Sequence, residues 1–193
     1  MTAASCSATE FTFGDGCVTI HRLSKLTVRD AAPTDAGAVA GVHVRAWKAA
    51  YRGLLPDAYL DALRPEDRAS RYTFGSRDRS APRTIVAVVD DTLVGFATTG
   101  PSRDADLADA GELLALYVDP PRWGAGVGRE LLVEARRALR IAGHSEALLW
   151  VLAGNEPAIR FYRADGWWSD GTTREEDPWG VTAQVVRYRR RLA

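Results

Sequence analysis

Three glycines stand between a strand-like apolar run and a helix-like run in this chain of 193 residues. Gly124, Gly126 and Gly128 lie in "YVDPPRWGAGVGRELL", and an amphipathic pattern begins directly after the turn. Glycine lets the backbone approach a ligand closely because it has no Cβ. The first N–H groups of a helix have no intrahelical acceptor, and the helix dipole adds partial positive charge there. The spacing therefore predicts an anion site, usually one for phosphate or pyrophosphate.

Two common nucleotide motifs do not fit this turn. A dinucleotide fingerprint, Gly-x-Gly-x-x-Gly, aligned on Gly124 and Gly126 requires glycine where the chain has Arg129. A Walker P-loop requires Gly-Lys-Ser or Gly-Lys-Thr, and the chain contains neither tripeptide. The alternative without a ligand is a tight turn between strand and helix, which needs fewer than three glycines.

Hydrophobic periodicity predicts the elements that position the turn. The strand "ELLALYVDP" precedes it, and the helix "VGRELLVEARRALRIAG" follows, with its apolar residues on one face. Upstream, "RTIVAVVD" and "LVGFATTG" predict a hairpin. Downstream, "NEPAIRFYRADGW" predicts a short helix with Asn155 as its N-cap.

The remaining segments complete a mixed order of elements. "LTVRDA" predicts a first strand, followed by helices, and "VTAQVVRYRRRL" predicts a half-exposed last strand. "SDGTTREEDPWG" is interpreted as a solvated loop at a hairpin tip. The order β, helices, ββ, β, α, β, α, ββ is typical of an α/β domain with helices on the faces of a mixed sheet. We expect an extension over residues 1–24 and a single domain over 25–193.

Composition narrows the classes of function. Formal net charge is zero, which argues against binding to nucleic acid or to a membrane surface. Cys6 and Cys17 form no Cys-x-x-Cys pair and the histidines are scattered, so we expect no metal. The N-terminus lacks the charged and apolar regions of a secretory signal, and no apolar run reaches the length of a membrane span. We expect a soluble, cytoplasmic protein.

Two motifs and one further segment resemble the GNAT superfamily of N-acetyltransferases. "LYVDPPRWGAGVGRELL" is similar to its acetyl-CoA-binding segment, Arg/Gln-x-x-Gly-x-Gly/Ala, with Trp123 in the Arg/Gln position. "NEPAIRFYRADGW" resembles a later element of the family, and "RAWKAAYRGLLPDAYLDAL" resembles its first-helix region. The resemblance covers about residues 26 to 191, with the motifs in the family's order.

The resemblance implies a fold and a cofactor site. The fold is an α/β (α+β) domain with a mixed, mostly antiparallel sheet of about six to seven strands, splayed between the fourth and fifth, and helices on both faces. The pantetheine arm of acetyl-CoA pairs with the bulged fourth strand, and the pyrophosphate binds at the glycine turn. The implied cofactor-binding residues are Leu116, Tyr117, Val118, Trp123, Gly124, Ala125, Gly126, Val127, Gly128, Arg129, Asn155, Phe161 and Tyr162.

The resemblance also implies catalytic roles. Tyr162 is the candidate general acid for the departing thiolate, and its alternative role is packing in the core. Glu112 is the candidate general base, and its alternative is a solvated acid at a strand end. Arg122, Arg129 and Arg163 are candidates for the ribose phosphate, each with a surface alternative.

The acceptor is less well defined. A small-molecule amine or a peptide N-terminus is expected, and a homodimer is common in the family. The aromatic candidates for an acceptor pocket are Trp47, Tyr51, Tyr117, Trp150, Trp168 and Trp179. Two other classes stay open at this point: a coenzyme-A-binding regulatory module, and a nucleotide-binding oxidoreductase, which the missing glycine at position 129 disfavours.

Overall fold

One mixed sheet organises the part of the chain that the computed structural model describes, residues 25–76, 78, 81–177 and 181–192. Its strands are β1 (Leu26–Asp30), β2 (Arg83–Val89), β3 (Thr92–Pro101), β4 (Gly111–Val118), β5 (Glu146–Leu152), β6 (Trp168–Glu176) and β7 (Ala183–Arg191). They lie in the order β1-β2-β3-β4-β5-β7-β6. The expected extension over residues 1–24, with Cys6 and Cys17, and Trp179 lie outside the described residues.

Local sequence explains the first half of the sheet. β2 and β3 are β-branched runs that are buried along most of their length. Asp90 and Asp91 join them with φ angles of 47° and 62°, the left-handed conformation of a tight two-residue hairpin turn. β1 to β4 are antiparallel neighbours, so the predicted hairpin is confirmed.

Helices cover both faces of the sheet. They are α1 (Ala36–Ala50), α2 (Asp57–Ala62), α3 (Pro65–Ala69), α4 (Val127–Ile141) and α5 (Glu156–Ala164). α4 and α5 bury their apolar sides in the core of one face, and Val39 and Val42 of α1 pack with Phe96 on the other. Within the described ranges, no helix combines the length and the apolar character that crossing a bilayer requires.

The sheet opens between its fourth and fifth strands. β4 and β5 are parallel, and they pair only between Gly111–Leu113 and Ala147–Leu149. Opposite β3, the register shifts between Thr98 and Thr99, which leaves Leu114 as the extra residue of a bulge. Beyond Leu113 the two strands therefore separate. The predicted fold class, including the splay and helices on both faces, is confirmed.

The C-terminal hairpin differs from the sequence prediction. "SDGTTREEDPWG" was expected to be a solvated loop, yet residues up to Glu176 form the edge strand β6. Arg187 in β7 is 4% exposed, although its strand was expected to present its charges to water. Its guanidinium binds Asp104, Asp106 and Asp170 over 2.8–3.0 Å. These partners lie as far as 83 positions away in sequence, so no local pattern reveals the ion cluster.

Candidate active site

A cavity of about 620 Å³ opens where β4 and β5 separate. We call it the splay cavity; its wall runs along β4 from Leu113 to Val118 and along β5 from Trp150 to Leu152. The glycine turn, the start of α5 and the end of α1 close its other sides. A second cavity, of about 700 Å³, lies at the far end of β3 near Arg83, Gly100 and His144, and contains none of the predicted site residues. The splay cavity therefore brings the two sequence motifs together.

The glycine turn places backbone at the mouth of the splay cavity. Gly124 and Gly126 have φ angles of 77° and 84°, which favour glycine, and Gly126 is the N-cap of α4. Gly128 lies in the first helical turn, and a Cβ added there would meet the ring of Phe161 at 3.5 Å. Gly124, Gly126, Gly128 and Arg129 line the cavity. The N-terminal N–H groups of α4 and its positive dipole end are thus available to an anion.

Trp123 has a different role from the Arg or Gln that occupies the same position in the related motif. Its indole Nε1 donates a hydrogen bond to the carbonyl oxygen of Val118 over 2.8 Å. The side chain is half exposed and still lines the splay cavity. Trp123 therefore ties the glycine turn to the last residue of β4, at the point where that strand has lost its β5 neighbour.

Tyr162 faces the splay cavity from α5 and also packs in the core. It is 9% exposed and contacts the rings of Phe161 and Trp167. Burial raises the pKa of Tyr162 above the usual value of a phenol, so that its hydroxyl stays protonated at neutral pH. Packing in the core and a position on the cavity wall are thus compatible for Tyr162.

Two further tyrosines share this wall. The hydroxyls of Tyr51 and Tyr117 lie 3.5 Å apart, and burial raises the pKa of each. Tyr117 also stacks on the imidazole of His43 at 4.8 Å between ring centroids. The sequence marked Tyr51 only as one aromatic among several. The sequence feature that could have identified Tyr51 is the run "RAWKAAY", because its small alanines at the end of α1 leave room for the cavity.

Asn155 caps α5, as the sequence predicted, and also lies on the wall of the splay cavity. Its Oδ1 accepts a hydrogen bond from the backbone N–H of Ala158 at 3.3 Å, which caps α5. The residue is 7% exposed and lines the splay cavity. Phe161, also on the wall, lies beside Gly128 and links α5 to the glycine turn.

Glu112 is not on the wall of the splay cavity. Its side chain is 1% exposed, and its carboxylate accepts hydrogen bonds from Arg103. The backbone N–H, Nε and Nη2 of Arg103 donate them over 3.0, 3.1 and 2.6 Å. The wall begins at the next residue, Leu113. The structure therefore places Glu112 in an ion pair with Arg103 and does not bring it to Tyr162.

The other candidates divide between the cavity and its surroundings. Arg122, Arg129 and Trp150 line the splay cavity. The guanidinium of Arg163 lies over the ring of Tyr188 at 6.0 Å, away from that wall. Trp47 is buried behind Tyr51, and Trp168 is exposed on the edge strand β6.

Charged groups surround Trp150 from behind. The guanidinium of Arg174 lies 3.8 Å from its ring centroid and also binds Asp104 at 2.6 Å. Arg174 forms a further ion pair with Glu176. This side of the cavity is therefore built from arginine–carboxylate pairs rather than isolated charges.

Comparison with known proteins gives a consistent picture. A family model described as "Acetyltransferase (GNAT) family" matches residues 44–167. The uncharacterized N-acetyltransferase YuaI of Bacillus subtilis is 34% identical over 140 residues, which are 72% of this chain and 78% of that protein. The spermidine N(1)-acetyltransferase of Thermoplasma acidophilum is 27% identical over 124 residues, which are 62% of this chain and 74% of that protein.

A solved structure shares the fold. The structure of yncA from Salmonella typhimurium, solved with its cofactor acetyl-CoA, superposes with a TM-score of 0.65 at 20% identity. The superposition covers 88% of this chain and 95% of that one. The residues matched by the family model include β4, the glycine turn and α5.

Proposed function

This chain belongs to the GNAT family of acetyltransferases, and on that premise we propose that it transfers the acetyl group of acetyl-CoA to a primary amine by direct attack in a ternary complex. One observation carries the proposal. The splay cavity joins a glycine turn at a helix N-terminus, a strand edge without a neighbour and a buried tyrosine hydroxyl. A small-molecule amine or a peptide N-terminus is the proposed acceptor.

The described residues fit acetyl-CoA as co-substrate. The glycine turn and Arg129 suit a pyrophosphate, because backbone N–H groups, helix dipole and guanidinium all favour negative charge. β4 beyond Leu113 no longer pairs with β5, so its backbone groups suit the amides of the pantetheine arm. Trp123 holds the carbonyl group of Val118 in place. We propose that the backbone N–H of Val118 donates a hydrogen bond to the thioester oxygen.

Tyr162 supplies the proposed acid. In the transfer a C–N bond forms, the C–S bond breaks, and the thiolate takes a proton. A phenol whose pKa is raised by burial keeps its proton until a strongly basic group appears beside it. The exposed side chain of Arg103 holds the buried carboxylate of Glu112 in an ion pair, so we propose that Glu112 positions the start of β4 rather than acting as base.

Calorimetric titration with acetyl-CoA, with NADH as control, tests the proposal. We expect binding of acetyl-CoA, no binding of NADH, and release of free thiol when an amine is added. Binding without thiol release from any amine would favour a coenzyme-A-binding regulatory module. Lack of acetyl-CoA binding would overturn the proposal. A cytoplasmic location and a homodimer stay predictions.

A further inference from the structure

An ion pair connects α1 to the chain just before the glycine turn. Arg45 of α1 donates hydrogen bonds from Nε and Nη2 to the two carboxylate oxygens of Asp119, each over 2.8 Å. Asp119 directly follows Val118, the last residue of β4, and precedes the glycine turn. A guanidinium that binds both oxygens of a carboxylate forms a strong ion pair of defined geometry. The pair therefore lies beside both parts of the proposed cofactor site, the strand edge and the turn.

The two partners differ in their exposure to water. The side chain of Asp119 is 17% exposed, whereas that of Arg45 is 54% exposed. Water therefore screens the charge of Asp119 poorly, and the contact with Arg45 compensates that charge directly. Glu130, in the first turn of α4, also carries a carboxylate, but it is exposed to the solvent that screens it. Removal of Arg45 would thus leave a poorly screened negative charge at Asp119.

The guanidinium of Arg45 is directed toward Asp119 and not into the splay cavity. Its Nη1 lies 3.1 Å from the point where a Cβ on Gly41 would stand, so the side chain leans back along α1. Gly41 lies one helical turn before Arg45, on the same face. Arg45 is not among the residues that line the cavity, although its neighbour Ala46 is. Any effect of Arg45 on a ligand in the cavity therefore passes through Asp119.

Other contacts hold the backbone of both partners in place. α1 packs on the sheet through Val39 and Val42. The backbone N–H of Asp119 donates to the carbonyl of Val94 over 2.8 Å, and the carbonyl of Asp119 accepts from the N–H of Arg122 over 2.8 Å. Exposed ion pairs in general contribute little to stability. The distinct contribution of this pair is therefore its charge.

An uncompensated carboxylate at this position would oppose the anion of the proposed cofactor. Val118 and Arg122, on either side of Asp119, both line the splay cavity. Consecutive Cα atoms are about 3.8 Å apart, so the carboxylate lies close to the place proposed for the pyrophosphate. Repulsion between two negative charges at such separations is appreciable where water and salt screen it poorly.

From this geometry we infer that Arg45 is a positioning residue for acetyl-CoA that acts through Asp119. It neutralises the carboxylate just before the glycine turn and so preserves the affinity of the turn for the pyrophosphate. The inference rests on the proposed function and deepens it, because it assigns a role to a residue outside the cavity wall. The partners are 74 positions apart in the chain, so no local sequence pattern marks Arg45.

Three variants separate the effect of charge from that of mechanical support. Arg45→Gln leaves the carboxylate uncompensated, and Asp119→Asn removes the carboxylate. The double variant lacks the ion pair but also lacks both of its charges. The Kd for acetyl-CoA is measured by calorimetric titration at about 0.02 M and about 0.5 M salt, between which the Debye length falls from about 20 Å to about 4 Å.

The inference predicts a distinct result for each variant. We expect Arg45→Gln to raise the Kd about tenfold over the wild type at low salt and about twofold at high salt. The double variant should bind within about twofold of the wild type at both salt concentrations, because no charge is left uncompensated. Asp119→Asn alone keeps the positive charge of Arg45 and should bind at least as tightly as the wild type.

Arg29→Gln is the matched control. Arg29 binds both carboxylate oxygens of Asp35, over 2.7 and 3.0 Å, and the side chains of the two partners are 49% and 12% exposed. Neither residue lines the splay cavity. Loss of this pair should leave the Kd for acetyl-CoA unchanged at both salt concentrations. Urea unfolding of every variant checks that binding is measured on folded protein.

A purely mechanical role would give a different set of results. The double variant and Asp119→Asn would then bind as weakly as Arg45→Gln, and salt would not change their affinity relative to the wild type. That outcome would overturn the inference and leave the proposed function standing, as would wild-type affinity of Arg45→Gln at low salt. Failure of the wild-type protein to bind acetyl-CoA would overturn the proposed function and the inference together.

Discussion

Trp123 and Val118 are joined by a hydrogen bond of 2.8 Å from the indole Nε1 to the backbone carbonyl. The bond crosses from the glycine turn to the end of β4, two segments that the proposed cofactor site uses together. This hydrogen bond gives Trp123, which stands where the related motif has Arg or Gln, a structural role. The turn and the strand edge are therefore coupled parts of one site.

Trp123→Phe keeps an aromatic ring and removes this hydrogen bond. We expect the Kd for acetyl-CoA to rise about fivefold, the equivalent of about 1 kcal/mol for one hydrogen bond. Calorimetric titration measures it, with Trp168→Phe as control because Trp168 is similarly exposed on β6, outside the splay cavity. Unchanged affinity would show that the bond does not position the β4 edge.

Gly128→Ala tests whether a ligand needs the space beside this glycine, in a variant whose folding should not be impaired. The new Cβ would lie 3.5 Å from the ring of Phe161, an ordinary contact, and alanine favours a helix. We expect an unchanged or higher free energy of unfolding and at least a tenfold, on the order of 1.4 kcal/mol, loss of acetyl-CoA affinity. Gly37→Ala, in open space on α1, should leave the affinity unchanged. Normal binding by Gly128→Ala would contradict close approach of a ligand to this turn.

Tyr162→Phe removes the proposed acid and keeps the ring contacts. We expect kcat to fall about 100-fold, the lower range for loss of general acid catalysis, with a KM for acetyl-CoA close to that of the wild type. Steady-state kinetics of thiol release measure both constants. Tyr188→Phe should keep wild-type kcat, since Tyr188 lies in the same core away from the cavity. Full turnover by Tyr162→Phe would show that Tyr162 is not the general acid.

Glu112→Gln distinguishes an ion pair from a general base. Loss of the charge weakens the bonds from Arg103, so we expect the free energy of unfolding to fall by about 1–3 kcal/mol. We expect kcat at a temperature well below the unfolding transition to change less than about fivefold, because no proton transfer is lost. Urea unfolding and thiol release measure the two effects. A large loss of kcat without a loss of stability would restore Glu112 as the base.

His43 makes the fold sensitive to acid. Burial lowers its pKa from 6.5 to about 3, so the unfolded state binds the extra proton between these two values. The stability that the neutral ring contributes is complete above about pH 6.5 and falls as pH decreases toward 3. We expect about 2 kcal/mol less unfolding free energy at pH 5 than at pH 7 from this residue.

Urea unfolding at both pH values, compared with His43→Gln, isolates this contribution. The variant should lose the His43 part of the pH dependence even if it is less stable overall. Equal pH dependence of the two proteins would mean that the imidazole is charged or exposed in the folded state.

Periodicity and turn chemistry predicted most of the fold. The Asp90–Asp91 hairpin, α4 with its single apolar face, and the N-cap Asn155 depend on neighbouring residues, so a local pattern reveals them. β6 was mistaken for a loop because its charged residues resemble a solvated tip. Its hydrogen bonds and ion pairs come from β7 and from the loop before β4, which no local pattern contains.

The sequence alone determined the order of the elements from β1 to α5, the phosphate-suited glycine turn, and the identity of Tyr162 and Glu112 as candidates. Only the tertiary structure decided which candidates meet, because their distances depend on where β4 and β5 part. The splay brings Tyr51 and Tyr117 to the wall with Tyr162, while Arg103 binds the buried carboxylate of Glu112 in a separate ion pair. Burial then sets the charge of each group, since the pKa of a side chain depends on the water and charges that folding leaves around it.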